Sequence, residues 1–230
     1  MAATAGHLIG IDGYPGGWVG AVWSGSTVTW RTAPIGAFDT LCDEAAVICV
    51  DIPVGLADHG WRSCDLRARE LLGAARSRVF MTPPRDVILL GLSVPNEEVQ
   101  QVARELTGQG VSRQALGLAT RVLDVDGQLP DPRILEVHPE LSFQRMAGEV
   151  LPSKKQARGV ARRISSLSQA LPDIDVLAAL EACPADVPID DSLDALAALW
   201  TARRHADGRS EGILASPEVD AGGTSMQMTV

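Results

Sequence analysis

The sequence predicts an α/β fold on a mixed sheet, and two observations lead there. Three short apolar segments open the chain, His7–Asp12, Trp18–Ser24 and Thr27–Thr32, each bounded by turn residues, which is the pattern of an antiparallel meander. After them, apolar strand-like runs alternate with helical patterns, an order that adds parallel strands to such a sheet.

Each element has a local reason. Leu8-Ile9-Gly10-Ile11 is apolar on both alternating faces, so it predicts a central strand in a sheet of about five. Gly13-Tyr14-Pro15-Gly16-Gly17 turns the chain into the second strand, and Gly25-Ser26 marks a tight hairpin before the third. A short helix around Phe38–Glu44 leads to a buried strand, Val47–Asp51, which stops at Ile52-Pro53. Helical patterns follow at Ser63–Leu72, Asn96–Thr107 and Arg113–Leu123, then a strand at Arg133–Val137. Three more helical segments, near Pro139–Ala147, Gln156–Ala170 and Ile174–Ala182, precede a last helix with an acidic start, Asp191–His205. The stretch after Pro217 reads as a loose tail. The organisation expected is one domain over residues 1–215 with a helical insertion at about 53–130, and a tail over 216–230.

Composition narrows the function classes. With 230 residues, 46% hydrophobic and 21% charged, the chain is an ordinary globular mixture, long enough for a real core. Aromatic residues make up only 4%, which argues against a platform of exposed rings for stacking bases. The formal net charge of −9 argues against coating nucleic acid through bulk electrostatics. It leaves room for an enzyme whose bound cations reverse the local sign. No apolar run approaches the roughly 18 residues needed to span a bilayer. Met1–His7 has neither a basic nor an apolar leader region, so a cytoplasmic protein is expected. Cys42, Cys49, Cys64 and Cys183 are scattered without a C-x-x-C pair, which argues against a zinc site or a disulfide framework. Phosphate-binding loops, nucleophile elbows and zinc-protease motifs are all missing.

The chemistry-bearing residues are four aspartates in three distant places. Asp12 and Asp51 each end an apolar run, and an acid at the end of an all-apolar strand such as that of Asp51 must be paired, hydrated or liganded. Asp12 before Gly13 also suits a simple turn. Asp191 and Asp194 are three apart on a helix, so they share a face with Cβ atoms about 5–6 Å apart. Acids at a helix start also cap free N–H groups, a role that suits Asp190 better than Asp194. Carboxylates at two strand ends and on one helix are a means of building an oxygen-ligand site for Mg²⁺ or Mn²⁺. Glu136 and His138 alternate onto one strand face, so His138 is a candidate base or a hydrogen-bond partner of Glu136. Arginines from Arg62 to Arg85, Arg78 among them, and the basic run Lys154–Arg163 are candidate phosphate contacts, or solvated surface charge.

In combination these residues resemble a bacterial and archaeal family of unassigned function described as predicted nucleases of ribonuclease H fold. The resemblance rests on Gly10-Ile11-Asp12-Gly13 with Gly16-Gly17-Trp18, Asp51-Ile52-Pro53-Val54-Gly55, Arg62-Ser63-Cys64-Asp65 and Ala75–Phe80 with Pro83-Pro84. It continues through Glu136–Glu140 with Phe143, Ser153-Lys154-Lys155 and Asp191–Ala195, so it spans nearly the whole chain. The helix motif Asp191-x-x-Asp194-Ala195 is also similar to the last catalytic helix of RuvC-type Holliday-junction resolvases. The resemblance implies a ribonuclease H-like sheet with Asp12 on the first strand and Asp51 on the fourth. Those resolvases carry Glu on the fourth strand; the shorter Asp51 changes the spacing available to metal ions.

The activity expected is hydrolysis of nucleic-acid phosphodiester bonds with Mg²⁺ or Mn²⁺. Asp12 would bridge two ions, Asp51 and Asp194 would each hold one, and Asp191 would complete the shell. Glu136 is a further candidate catalytic residue, and Arg78, Lys154 and Lys155 are the candidates for substrate phosphate. Two other readings stand beside it. One is a phosphotransferase of the actin and sugar-kinase type, with Asp12-Gly13 and Gly16-Gly17 as a phosphate hairpin. The other is a non-catalytic binding protein on the same sheet.

Overall fold

The computed structural model describes residues 6–230; residues 1–5, on which most of the leader expectation falls, lie outside the described residues. The chain folds as two compact units. One holds the chain up to Ile52 together with Pro132–Glu211 and Thr229–Val230, and the other holds Pro53–Asp131 and Gly212–Met228.

The first unit opens with β1 (His7–Tyr14), β2 (Gly17–Trp23), β3 (Val28–Ala33), a short helix α1 (Asp39–Cys42) and β4 (Ala45–Val50). The chain then forms the helices of the second unit: α2 (Ser63–Leu72), a 3-10 helix (Gly73–Arg78), α3 (Arg85–Leu90), α4 (Asn96–Thr107), α5 (Arg113–Gly117) and α6 (Ala119–Asp126). The first unit resumes with β5 (Ile134–Val137), α7 (Pro139–Ala147), α8 (Ala157–Ala170), α9 (Val176–Glu181) and α10 (Ile189–Ala206).

The main sheet has six strands in the order β3-β2-β1-β4-β5, followed at the far edge by the C-terminal strand Met228–Thr229. β1, β2 and β3 pair antiparallel, while β1, β4 and β5 pair parallel, so the sheet is mixed and β1 lies inside it. β1 runs past Asp12 because Tyr14 pairs with Gly17 across the turn Pro15-Gly16. Gly17 takes a positive φ of 141° there, which a side chain would strain.

Alternation gives β1 two different faces. Ile9 and Ile11 lie on one face and are fully buried. Leu8, Gly10 and Asp12 share the other, where α10 packs. A Cβ on Gly10 would stand only 2.0 Å from the backbone nitrogen of Leu199 and 2.3 Å from the carbonyl oxygen of Ala195. Glycine inside a strand is what permits backbone to approach so closely.

The core of the first unit joins Val19, Ala21 and Trp23 of β2 to Phe143 of α7, Leu167 of α8 and Leu193, Leu196 and Leu199 of α10. Each fully buried leucine there contributes about 1.5–3 kcal/mol relative to exposure. From Ser192 to Ala202 every residue of α10 is buried, so this helix is the axis on which the unit is packed.

In the second unit, the helix expected over Arg113–Leu123 is two, α5 and α6, because the chain breaks at Gly117-Leu118, where glycine is a poor helix former. The expected loose tail is also corrected. Glu218–Val219 pairs with Ser225–Met226 as a hairpin. Asp220 organises its turn by accepting the N–H groups of Gly222 at 2.9 Å and Thr224 at 2.8 Å, and its other oxygen accepts Leu56 N–H at 3.1 Å. An aspartate that bonds backbone groups just ahead of it is a turn signal that the tail's small residues conceal. Among the described residues, no helix is long and apolar enough to cross a membrane.

Candidate metal centre

Three elements of the first unit each deliver one carboxylate to a common point. Asp12 projects from β1 on the same face as Gly10, the face against which α10 lies. Asp51 is the first residue beyond β4, and its N–H donates to the Ile11 carbonyl at 3.0 Å, which sets it beside Asp12. Asp194 stands on α10, one residue before the Ala195 carbonyl that sits over Gly10. One carboxylate oxygen from each of the three lies within 4.8 Å of the others. Such a set of hard oxygen donors could hold a metal ion. Asp12 and Asp194 are buried, and Asp51 is half-buried.

An ammonium faces these acids. Lys154 Nζ donates to Asp194 Oδ2 at 2.5 Å and lies 3.8 Å from Asp190 Oδ2. Its position is set by α8. Arg163 is fully buried and donates from Nη1 to the Pro152 carbonyl at 2.8 Å, and from Nη2 to Glu140 Oε1 at 2.5 Å. Its guanidinium also lies over the Phe143 ring, 5.1 Å from the centroid. A Cβ on Gly159 would stand 2.0 Å from the Ser153 carbonyl oxygen, so α8 and the loop before Lys154 touch backbone to backbone. Arginine and glycine thus pin the loop from which Lys154 reaches the acids.

The carboxylate oxygens differ in how they are satisfied. Asp12 Oδ1 accepts the N–H of Gly13 at 2.7 Å, the turn bond that a strand-end Asp-Gly predicts. Asp194 Oδ1 is buried and, among the described residues, has no hydrogen-bond partner. A buried carboxylate oxygen left in that state costs free energy unless something else coordinates it.

The electrostatics follow from this crowding. Exclusion of water, then the carboxylates of Asp51, Asp194 and Asp191, push Asp12 well above the usual carboxylate range, with Lys154 pulling the other way. Exclusion of water raises Asp51 to about 7, against the pull of Lys154 and with added push from Glu136, Glu140 and Asp191. Asp194 rises to about 6 for the same first reason, again opposed by Lys154 and supported by Asp51 and Glu140. Burial lowers the affinity of Lys154 for its proton, but the Asp194 charge and hydrogen bond more than reverse that, so it stays an ammonium. Three acids crowded around this one ammonium, in a site shielded from water, hold onto protons that a divalent cation would compete for. Such a site attracts a second cation.

The other sequence candidates fall in different places. Asp191 is half-buried in the first turn of α10 and acts on Asp12 and Asp51 through its charge, but it does not join the three converging acids. Asp190 is not the cap of α10. The helix starts two residues earlier than expected, at Ile189 after Pro188, and Asp190 lies in its first turn near Lys154. Glu136 is buried on β5, in register with Val50, where its charge is felt by Asp51. His138 follows the strand in extended backbone and precedes α7 as its N-cap residue. Arg78 belongs to the second unit, at the end of the 3-10 helix.

The basic run Lys154–Arg163 divides instead of forming one face. Lys154 enters the acid cluster, Lys155 and Arg158 are exposed, Arg162 pairs with Glu149 at 2.6 Å, and Arg163 is buried. Sequence reasoning missed Glu140 and Arg163 as a buried pair. The signal was present: Gly159, Arg163, Ser166 and Leu167 are the buried positions of α8, spaced as one helical face, with Arg163 among them.

The chain belongs to a family described as "Protein of unknown function (DUF429)", whose model matches residues 10–219. No curated protein and no solved structure matches it.

Proposed function

We propose that this member of the family is a divalent-metal-dependent nuclease, hydrolysing phosphodiester bonds of nucleic acid from a ribonuclease H-like sheet. The observation that carries the reading is the convergence of Asp12, Asp51 and Asp194 within 4.8 Å, with a buried Asp194 oxygen left unpartnered among the described residues. The antiparallel meander continued by parallel strands supports the ribonuclease H-like assignment. Asp12, Asp51 and Asp194 would hold Mg²⁺ or Mn²⁺, hard ions that suit an all-carboxylate set. When bound, such an ion supplies Lewis acidity toward a phosphoryl oxygen and a more acidic water.

The chain's own residues do the rest. Gly10 seats α10 against β1 so that Asp194 meets Asp12, and the Asp51 N–H bond to Ile11 sets the third acid. Packing around α10 keeps bulk water out, which strengthens every charge interaction inside. Lys155 is exposed next to the cluster's own lysine and is available for a phosphate.

A calorimetric Mn²⁺ titration of wild type beside Asp12→Asn tests the metal, and cleavage of single- and double-stranded DNA and RNA with Mg²⁺ or Mn²⁺ tests the activity. Binding lost in the variant, with metal-dependent cleavage in wild type, is the expected outcome. One observation favours a second reading: the Lys154–Asp194 ion pair gives the acids a cation of their own, as a non-catalytic protein on this sheet would. Absence of Mn²⁺ binding in both wild type and Lys154→Met would favour it.

A further inference from the structure

The chain has 20 Lys and Arg residues, of which 18 are arginine; its two lysines are adjacent, Lys154 and Lys155. Elsewhere in the first unit, the buried Glu140 is paired with Arg163 and the exposed Asp173 with Arg203. At the acid cluster the chain uses an ammonium. The two groups differ in how they hold a carboxylate. A guanidinium offers a rigid fork of donors suited to a permanent pair, while an ammonium is a compact point charge on a flexible stem.

The geometry fits that contrast. Lys154 Nζ sits 2.5 Å from Asp194 Oδ2 and within the field of Asp12 and Asp51. Its side chain keeps 31% of its surface exposed, whereas that of Asp194 keeps 5%, so the lysine has a way out and the acid does not. The anchoring of its loop by Arg163 and Gly159 fixes the start of the stem and leaves the tip to move.

We propose that Lys154 is an internal counter-cation that occupies the carboxylate cluster of the ion-free protein and is displaced from Asp194 when a divalent ion binds. This role rests on the metal-centre reading above and concerns how that centre is regulated. The lysine lets three acids fold together without an ion, and it sets a threshold that the ion must exceed. Weakly bound or monovalent cations would then fail to open the cluster, because they do not outcompete the ammonium.

Two measurements test this. In the first, Mn²⁺ is titrated calorimetrically into wild type and Lys154→Met. Removing the competitor should tighten Mn²⁺ binding by about 5- to 150-fold, the usual span of coupling free energies between two ligands of one protein. In the second, wild-type protein is treated with acetic anhydride with and without Mn²⁺, and acetylation at each lysine is read by mass spectrometry. Lys154 should be protected without the ion and become reactive with it, while exposed Lys155 reacts equally in both and serves as the control.

Failure of the displacement and failure of the metal centre give different results. Mn²⁺ binding to wild type with no rise in Lys154 acetylation overturns the proposal and leaves the metal centre standing. Equal Mn²⁺ affinity in wild type and a folded Lys154→Met overturns it as well. Binding by Lys154→Met alone overturns the displacement as well, since the ion then fails to dislodge the lysine from the wild-type cluster. Absence of binding in both proteins removes the metal centre and the proposal together. The labelling needs only wild-type protein, so it decides the matter even where the variant does not fold.

Discussion

In the second unit Arg62 and Asp65 are both fully out of water, and their charges balance one to one. Arg62 donates to Asp65 Oδ1 at 2.5 Å and to the carbonyls of Val54 and Gly55 at 3.3 and 3.2 Å, while Asp65 Oδ2 accepts Thr82 N–H at 2.8 Å. In the first unit Asp12, Asp51 and Asp194 share the Lys154 ammonium, and Asp194 Oδ1 has no partner among the described residues. Both places bury charge, but in the second of them an acid is left short of hydrogen bonds. A balanced pair satisfies its own charges and holds loops in place. An unbalanced cluster is less stable than it would be with a further cation, and that deficit is what a metal ion can repair.

The largest effect expected from this contrast is on metal binding. Asp12→Asn and Asp194→Asn should each weaken Mn²⁺ binding at least about 100-fold, more than the loss of a supporting contact usually costs. Asp65→Asn, in the balanced pair, should leave the calorimetric Mn²⁺ isotherm as it is. A shifted isotherm for Asp65→Asn would break the distinction between the two regions.

Stability should respond in the opposite sense. Arg62→Met leaves the Asp65 carboxylate buried without its cation and should cost about 3–5 kcal/mol in urea unfolding. Asp12→Asn removes one of several like charges, so ion-free stability should hold or rise by up to about 1 kcal/mol, the scale of one pKa unit. Asn keeps an oxygen for the Gly13 N–H, so the turn survives. A clear fall in the ion-free melting temperature of Asp12→Asn would mark it as a structural residue after all.

A smaller effect concerns pH. The folded-state pKa values of Asp51, at about 7, and Asp194, at about 6, are raised above the ordinary carboxylate value of 3.8. Between those limits the folded protein therefore binds more protons than the unfolded chain, and the contribution of these groups to stability falls as pH rises. Ion-free wild type should lose stability from these groups between about pH 4 and 7, and Asp51→Asn should flatten that slope. Melting temperatures measured across the window without divalent ions check the sign; an unchanged slope in Asp51→Asn would show that the acids are not coupled as their proximity implies.

The smallest effect is expected where charge is exposed. Arg67 and Glu70 form an ion pair at 3.1 Å with side chains 45% and 67% exposed. Arg67→Ala should change stability by less than about 0.5 kcal/mol. A larger loss there would mean that burial is not what separates the charged groups of this protein by consequence.

Much of this was legible in the sequence, for a physical reason. Strand alternation and helical spacing are local consequences of backbone geometry, so the apolar runs ending in Asp12 and Asp51, and the helix bearing Asp194, announce themselves. A buried acid at a strand end likewise needs a partner wherever the chain goes. The identity of that partner is a different matter. Lys154 meets Asp194 across 40 positions of sequence, so nothing in its neighbourhood distinguishes it from the exposed Lys155; helical spacing can place Arg163 on the inner face of α8, but its partner Glu140 lies 23 positions away. Gly10 reads as an ordinary interruption of a strand until α10 is laid across it. The folded tail depends in the same way on Asp220 reaching the Leu56 N–H far upstream. Periodicity is decided by neighbours along the chain and can be read there; charge balance is decided by neighbours in space, and only the packed structure supplies them.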